Sequence, residues 1–481
     1  MPANSSTPPK KLGLSLLIAL VVGSIIGSGI FALPQNMAVG AGAGAIVIGW
    51  VVTGMGMLML AFVYQMLAVR KPELDNGIYA YARALAGNYV GFNAAWGYWL
   101  SAWIGNVGYL VAAFSALGFF FPTFGEGNTP AAIIGASVVL WVVHALVLRG
   151  IQGATVLNAL VTVAKIVPLL LFIAVLATVF NIDTFKLDFW GDASLGSVLT
   201  QVKSTMLVTV WVFIGIEGAS VYSGRAQNRS DVGKATVIGF LICLGLLSGV
   251  SLLSLGLMSQ PELAELKNPS MAAVLEKAVG HWGALVIYLG LIVSVGGGFL
   301  AWTLLAAESL FTPAQGGVMP VALTRLNSKG VPANALWLTS IMVQIFLVVT
   351  LMSKASYLAL ISLSTAMILV PYLFSAFFGL KVAFTKQIRA LAATETIATN
   401  GFIKPMVILA TGYCVWLLYA AGLKYLLLSA LLYAPGAALY FWARHQRGER
   451  AFNKTELAIL AALLVLGAVA AYMLASQQIK L

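Results

Sequence analysis

Two ionisable side chains stand deep inside apolar sequence. Glu217 lies in MLVTVWVFIGIEGASVYSGRAQN, residues 206–228, and Lys165 in NALVTVAKIVPLLLFI. A charge without a partner is costly in such surroundings, and ionisable residues within membrane spans are functional candidates by default. Glu217 and Lys165 could equally pair with one another, or with backbone, as a structural bridge. A third feature is the run VVGSIIGSGIFALP, residues 21–34, in which Gly23, Gly27 and Gly29 surround Ser28 and Pro34 closes the segment. Gly215 and Gly218 bracket Glu217 in a comparable way.

A helix interrupted at residues 25–29 leaves the N–H groups of its second half unpartnered. They carry partial positive charge and make an anion site. Ser28 adds a hydroxyl, and Gly29 lets a ligand approach the backbone closely. Carbonyls freed around Ile25 and around Trp211–Ile214 would accept from an ammonium group. The two breaks together therefore suit a zwitterionic head group. Glycines four apart also serve helix packing. We assign Gly23 to packing and Gly27, Ser28 and Gly29 to an unwound segment.

These residues need an apolar scaffold, and composition supplies one. Of 481 residues, 60% are hydrophobic and 9% charged, against roughly 25% charged in a soluble domain. Apolar runs long enough to cross about 30 Å of hydrocarbon recur along the whole length. We place thirteen spans between residues 12 and 476, which makes this an all-α polytopic membrane protein. The polar start MPANSSTPPKK precedes a long apolar segment with no small-residue cleavage site, so we read an uncleaved first span. The formal net charge of +12 reads as topology rather than nucleic-acid binding. With the N-terminus in the cytoplasm, most Lys and Arg, including Arg70, Lys71, Arg149, Lys234, Arg325, Arg444 and Arg447, fall on the cytoplasmic side. The segment RKPELDNGIYAYARALAG reads as a short interfacial helix with Tyr79, Tyr81 and Arg83 at headgroup level.

The second interrupted span comes five helices after the first, an odd number, so it enters the membrane from the opposite side. That is the pattern of an inverted repeat: a first half at 12–180, a second at 196–380, and two to three additional spans at 403–476, all in one transporter domain. Paired interrupted spans at corresponding positions point to a substrate site near the bilayer midplane. Cys243 and Cys414 sit in apolar runs and read as packing residues. His144, His281 and His445 stand at unrelated depths, so an enzyme lacks a nucleophile–base or metal constellation. His144 and Glu308 fall near span ends, where a polar group reaches water, and receive no chemistry. A channel would need a ring of polar groups. Neither a metal nor a cofactor is expected.

GSGIF in the first span and WVFIGIEGASV in the sixth resemble the amino acid–polyamine–organocation transporter superfamily. WLSAWIGN in the third span and AWTLLAAESLF in the eighth narrow the resemblance to the basic amino acid/polyamine antiporters. RKPELDNGIYAYARALAGNYVGFNAAWGYW, NTPAAIIGASVVLWVVHALVLRG and ATVIGF are most similar to its bacterial arginine/ornithine antiporters. The likeness covers nearly the whole chain, with the motifs in the family's order. It implies a bacterial cytoplasmic (inner) membrane protein that exchanges arginine for ornithine by alternating access. Arginine/agmatine or lysine/cadaverine exchange, and proton-coupled symport, stay open. So does assembly as a homodimer.

Carried over by position, the resemblance implies that Gly27, Ser28 and Gly29 hold the substrate carboxylate. The carbonyls of Ile25, Trp211 and Ile214 hold its amino group, Asn106 contacts the side chain, and Trp302 stacks on the guanidinium. Trp211 and Tyr98 act in gating, and Glu217 in gating and proton sensing. Lys165 takes the place of a sodium ion, linking the first and eighth spans. On physical grounds, Trp302 can offer a cation a π-face worth up to roughly 2 kcal/mol when desolvated, although tryptophan in membrane proteins also serves interfaces. Ser101, Ser364 and Thr365 either line the cavity or join helices.

Overall fold

The first span breaks where its sequence stops favouring a helix. Helix α1, Leu14–Ile25, ends with the Ile26 N–H bonded to the Val22 carbonyl at 2.9 Å. Ile26 and Gly27 are extended, a 3-10 turn covers Ser28–Ala32, and α2 runs Leu33–Ala38 with Pro34 in its first turn. Proline suits that place, because a first-turn N–H has no helical partner to lose. The two half-helices meet at a bend of 51°. This computed structural model describes residues 13–74, 77–150, 155–217, 229–385 and 400–479.

The spans that hold this break are α3 (Ala43–Arg70), α5 (Asn88–Phe120), α6 (Pro130–Leu148) and α7 (Thr155–Val179), with the short α4 (Gly77–Ala86) before α5. The second half brings α8 (Val198–Trp211), α9 (Arg229–Leu255), α11 (His281–Gln315), α12 (Ala333–Ser353) and α13 (Tyr357–Phe384), with α10 (Ser270–Val279) outside the bundle's spans. Then follow α14 (Asn400–Tyr433), α15 (Gly436–His445) and α16 (Lys454–Ala475). Among the described residues, nine helices are long and apolar enough to cross a membrane, and the bent first pair makes a tenth.

One of the nine, Gly401–His445, contains 45 residues. At 1.5 Å per residue it would be about 67 Å long, twice a hydrocarbon core. It is in fact two spans: Gly422 turns the chain at φ 76° and ψ 165°, between the expected spans 403–421 and 425–442. That φ is one only glycine adopts without strain. The last helix, α16, starts from an Asn453–Glu456 capping box and exposes apolar side chains such as Val465 and Tyr472. Exposed Val51, Met55, Ile134, Val138, Leu170 and Leu289 are the corresponding lipid-facing groups on other helices.

The core runs along α5, α11 and α13. Trp99, Trp103, Phe299 and Tyr372 are fully buried there, and α5 packs along both of the other two. The expected short helix exists as α4, but Tyr79 and Tyr81 do not face outward from the protein. Both are buried; Tyr81 stacks on Phe378 at 5.9 Å and the Tyr79 hydroxyl accepts from Arg83 at 3.1 Å. The apolar face of this amphipathic helix is covered by α5 and α13, so protein rather than lipid takes it. Lys381 donates to the carbonyls of Ala84 and Leu85, closing the end of α4. His144 also departs from expectation: it is buried, with Nδ1 2.8 Å from the Ser340 hydroxyl on α12.

Candidate functional site

The glycines of the first break are there for space rather than for unusual torsion. Gly27 has φ −122°, open to any residue. A Cβ on it would collide with the Tyr109 hydroxyl, and one on Gly29 would stand 2.6 Å from Trp211 Nε1 and 2.8 Å from Val212 Cγ1. The second break differs. After α8 the chain tightens into turns, with Ile214 N–H on the Trp211 carbonyl at 3.2 Å and Ile216 N–H on Phe213 at 3.1 Å. Gly215 has φ +108°, and a Cβ there would lie 2.7 Å from the Ser24 carbonyl oxygen. The Ser24 hydroxyl in turn reaches the Gly215 carbonyl at 3.3 Å. The two breaks therefore meet through the Ser24 hydroxyl and the close approach of the Gly215 backbone. Gly218 and the remainder of the sixth span, to residue 228, lie outside the described residues.

Six of the eight expected substrate residues, Ile25, Gly27, Gly29, Trp211, Ile214 and Trp302, line one cavity between the breaks, together with Ser101, Gly105 and Tyr109. Its free volume is about 20 Å³, space for roughly one water. Ligand sites of this kind need several hundred Å³. The chain is thus closed on the site, and Trp211, Trp302 and Tyr109 must move to admit a ligand the size of an amino acid. Among the described residues the wall has no charged side chain. It offers backbone, hydroxyls and indole faces, which suits a cationic side chain and a head group whose charges meet the two breaks.

The remaining expected residues stand around this cavity. Ser28 is buried, its hydroxyl 3.1 Å from that of Tyr357. Asn106 donates to the Thr303 hydroxyl at 3.3 Å, beside Trp302, and its side-chain oxygen has no partner among the described residues. The Trp211 carbonyl is engaged within its own turn, so in this closed form the residue presents its indole to the cavity. Ser101 is on the wall, whereas Ser364 donates to the Ser101 carbonyl at 2.7 Å and Thr365 to Ile361 within its own helix, also at 2.7 Å.

Lys165 is buried and donates to the Gly23 carbonyl at 3.3 Å, one turn before the first break. The Gly23 backbone therefore has a polar role. It gives the lysine one of the carbonyls that the end of α1 leaves without a helical partner. The Glu217 carboxylate accepts from the Tyr98 hydroxyl at 2.9 Å and the Tyr372 hydroxyl at 2.8 Å. The Gly215 N–H adds a third contact at 3.2 Å. Tyr98 lies 6.5 Å from Trp302, ring centre to ring centre, so the Glu217 carboxylate, Tyr98 and the cavity tryptophan stand in one row.

Sequence reasoning missed Tyr109, Tyr357 and Tyr372. A hydroxyl signal was available for two of them: Tyr109 falls three residues after Asn106, on the same helical face, and Tyr372 follows Pro371 in mid-span. Tyr357 begins its helix and looks like an interface tyrosine until α13 is placed beside the first break.

The fold and site define a polytopic carrier with a closed central chamber between two interrupted spans. A family model described as amino acid permease matches residues 12–425, and the chain belongs to that family. It is 55% identical to the arginine/ornithine antiporter of Pseudomonas aeruginosa, over 97% of this chain and 98% of the relative. It is 47% identical to a putative arginine/ornithine antiporter of Escherichia coli, over 97% and 99%. To an arginine/agmatine antiporter of Chlamydia pneumoniae it is 41% identical, over 98% of each chain.

Proposed function

We propose that this protein is a secondary antiporter that exchanges arginine for ornithine by alternating access. The observation that carries the reading is the small cavity lined from both breaks, with Trp211 and Trp302 on its wall and no charged side chain among its described lining residues. Ser28 and the backbone at Gly27 and Gly29 take the α-carboxylate; the carbonyls near Ile25 and Ile214 take the α-ammonium; Trp302 receives the guanidinium, with Asn106 behind it. Tyr98, Trp211 and Glu217 close the chamber. Residues 12–180 and 196–380 act as oppositely inserted halves, and 403–476 brace them. The Lys and Arg distribution puts the N-terminus in the cytoplasm of a bacterial cell.

Arginine and ornithine each carry one net positive charge at neutral pH, so one-for-one exchange is electroneutral. Lys165 supplies a fixed positive charge at the end of α1, and sodium is not needed. Reconstituted vesicles test the reading. Labelled arginine enters when unlabelled ornithine is inside and stays out of empty vesicles. Uptake into empty vesicles driven by a pH gradient would establish proton symport instead. Equal counterflow by agmatine would favour amino acid–amine exchange.

A further inference from the structure

Of the hydroxyl-bearing side chains on helix α13, three stand at intervals of seven and eight residues, Tyr357, Ser364 and Tyr372. Intervals near two turns keep them on one face. Each reaches a different element. Tyr357 meets Ser28 of the first break at 3.1 Å, Ser364 donates to the Ser101 carbonyl of α5, and Tyr372 donates to Glu217 of the second break. Tyr357 and Tyr372 are about 22 Å apart along the helix, so α13 spans the chamber and is tied to a break at each end.

The Tyr357 end has a particular chemistry. Its partner Ser28 is the hydroxyl that faces an α-carboxylate in the reading above, on which this inference rests. Tyr357 and Ser28 are both buried, and the Trp211 indole is a second polar neighbour of Tyr357. Tyr109 comes to the same place: Ser28 backbone and Trp302 are its polar neighbours. In a hydroxyl–hydroxyl pair one O–H is already engaged without any ligand. To take it over, an incoming group must be a better acceptor than a phenol, and a carboxylate, accepting charge-assisted bonds through two oxygens, is one. It can also accept the Tyr357 O–H that it displaces. A primary amine brings only donors and gives Ser28 and Tyr357 nothing to donate to.

We propose that Tyr357 is a specificity-determining latch: it holds Ser28 in the empty carrier, and only a substrate bearing an α-carboxylate releases it. The latch rejects decarboxylated amines without a charged residue in the chamber, and it keeps the empty carrier closed.

The test compares arginine with agmatine, the same guanidine without its carboxylate, in vesicles carrying wild type, Tyr357→Phe or Ser28→Ala. Tyr357→Phe keeps the ring and removes the bond. It should raise the agmatine-to-arginine transport ratio roughly three- to tenfold, the effect of one buried hydrogen bond. It should raise net arginine efflux relative to exchange by a similar factor. Ser28→Ala breaks the same latch from the other side and should raise agmatine flux above the wild-type rate while arginine flux falls. A structural role for Tyr357 would instead lower both substrates together. An unchanged agmatine-to-arginine ratio in Tyr357→Phe, or a fall in agmatine flux in Ser28→Ala, overturns the latch. Wild-type vesicles with no arginine–ornithine exchange overturn the transport reading and the latch with it; normal exchange with an unchanged variant ratio overturns the latch alone.

Discussion

The two broken spans meet in one chamber but solve their breaks differently. The first is uncharged, loses its helical ladder after Ile26, and is closed by hydroxyls. The second keeps i→i+3 backbone bonds through residues 211–216, bends at a glycine with positive φ, and holds a carboxylate against two tyrosines. The first break offers uncharged backbone and a neutral hydroxyl, so it suits binding of a head group. The second has its backbone largely engaged and carries an ionisable group fixed by elements from α5 and α13, so it suits sensing and closure. Opposite insertion need not mean equal chemistry.

Substitutions can break this division. The largest effect is expected from Gly29→Val, which pushes a branched side chain into Trp211 and Val212. Overpacking of this kind costs about 1–3 kcal/mol, and exchange should fall on the order of a hundredfold with the protein still in the membrane. If Gly29→Val exchanges like wild type, the first break is not the chamber wall described here. Lys165→Ala comes next. Removing a buried cation that bonds the Gly23 carbonyl should lower exchange by roughly ten- to thirtyfold; full activity, or activity restored by sodium, would each be informative, the first against any role and the second for the cation's place.

Trp302→Leu removes the π-face and should raise the half-saturation concentration for arginine by up to about thirtyfold, from a contribution of about 2 kcal/mol. Equal damage to maximal rate and affinity would argue for packing instead. Glu217→Gln is the mildest. The amide keeps an acceptor for one tyrosine, so exchange should change by only about threefold at neutral pH, while the pH profile of exchange flattens. A profile that keeps its shape would remove the second break from proton sensing and erase the contrast between the two.

The class of the molecule was legible in the sequence because hydrocarbon leaves so few options. Span limits at α5, α6, α7 and α12 fall within a few residues of those expected, and the paired interruptions at Gly27–Gly29 and Gly215 appear as breaks. Glu217 and Lys165 were legible by burial alone, since charge stands out in apolar sequence. Their partners were not. Lys165 turns to the Gly23 carbonyl, and Glu217 turns to Tyr98 and Tyr372, over sequence separations of more than a hundred residues. Tyr79, Tyr81 and His144 misled, because an amphipathic pattern says which face is apolar without saying whether lipid or protein covers it.

Sequence by itself determined that this chain crosses the membrane many times, that two spans break, and which glycines and serine mark the breaks. These follow from local physics: hydropathy, missing Cβ atoms and the need of each peptide group for a partner. Tertiary structure alone decided that Gly27 and Gly29 make room for Tyr109 and Trp211, that α13 ties both breaks, and that Ser28 is already held by Tyr357. Those are matters of which distant helix lies alongside, and hydroxyl pairing leaves no periodic signature in a sequence.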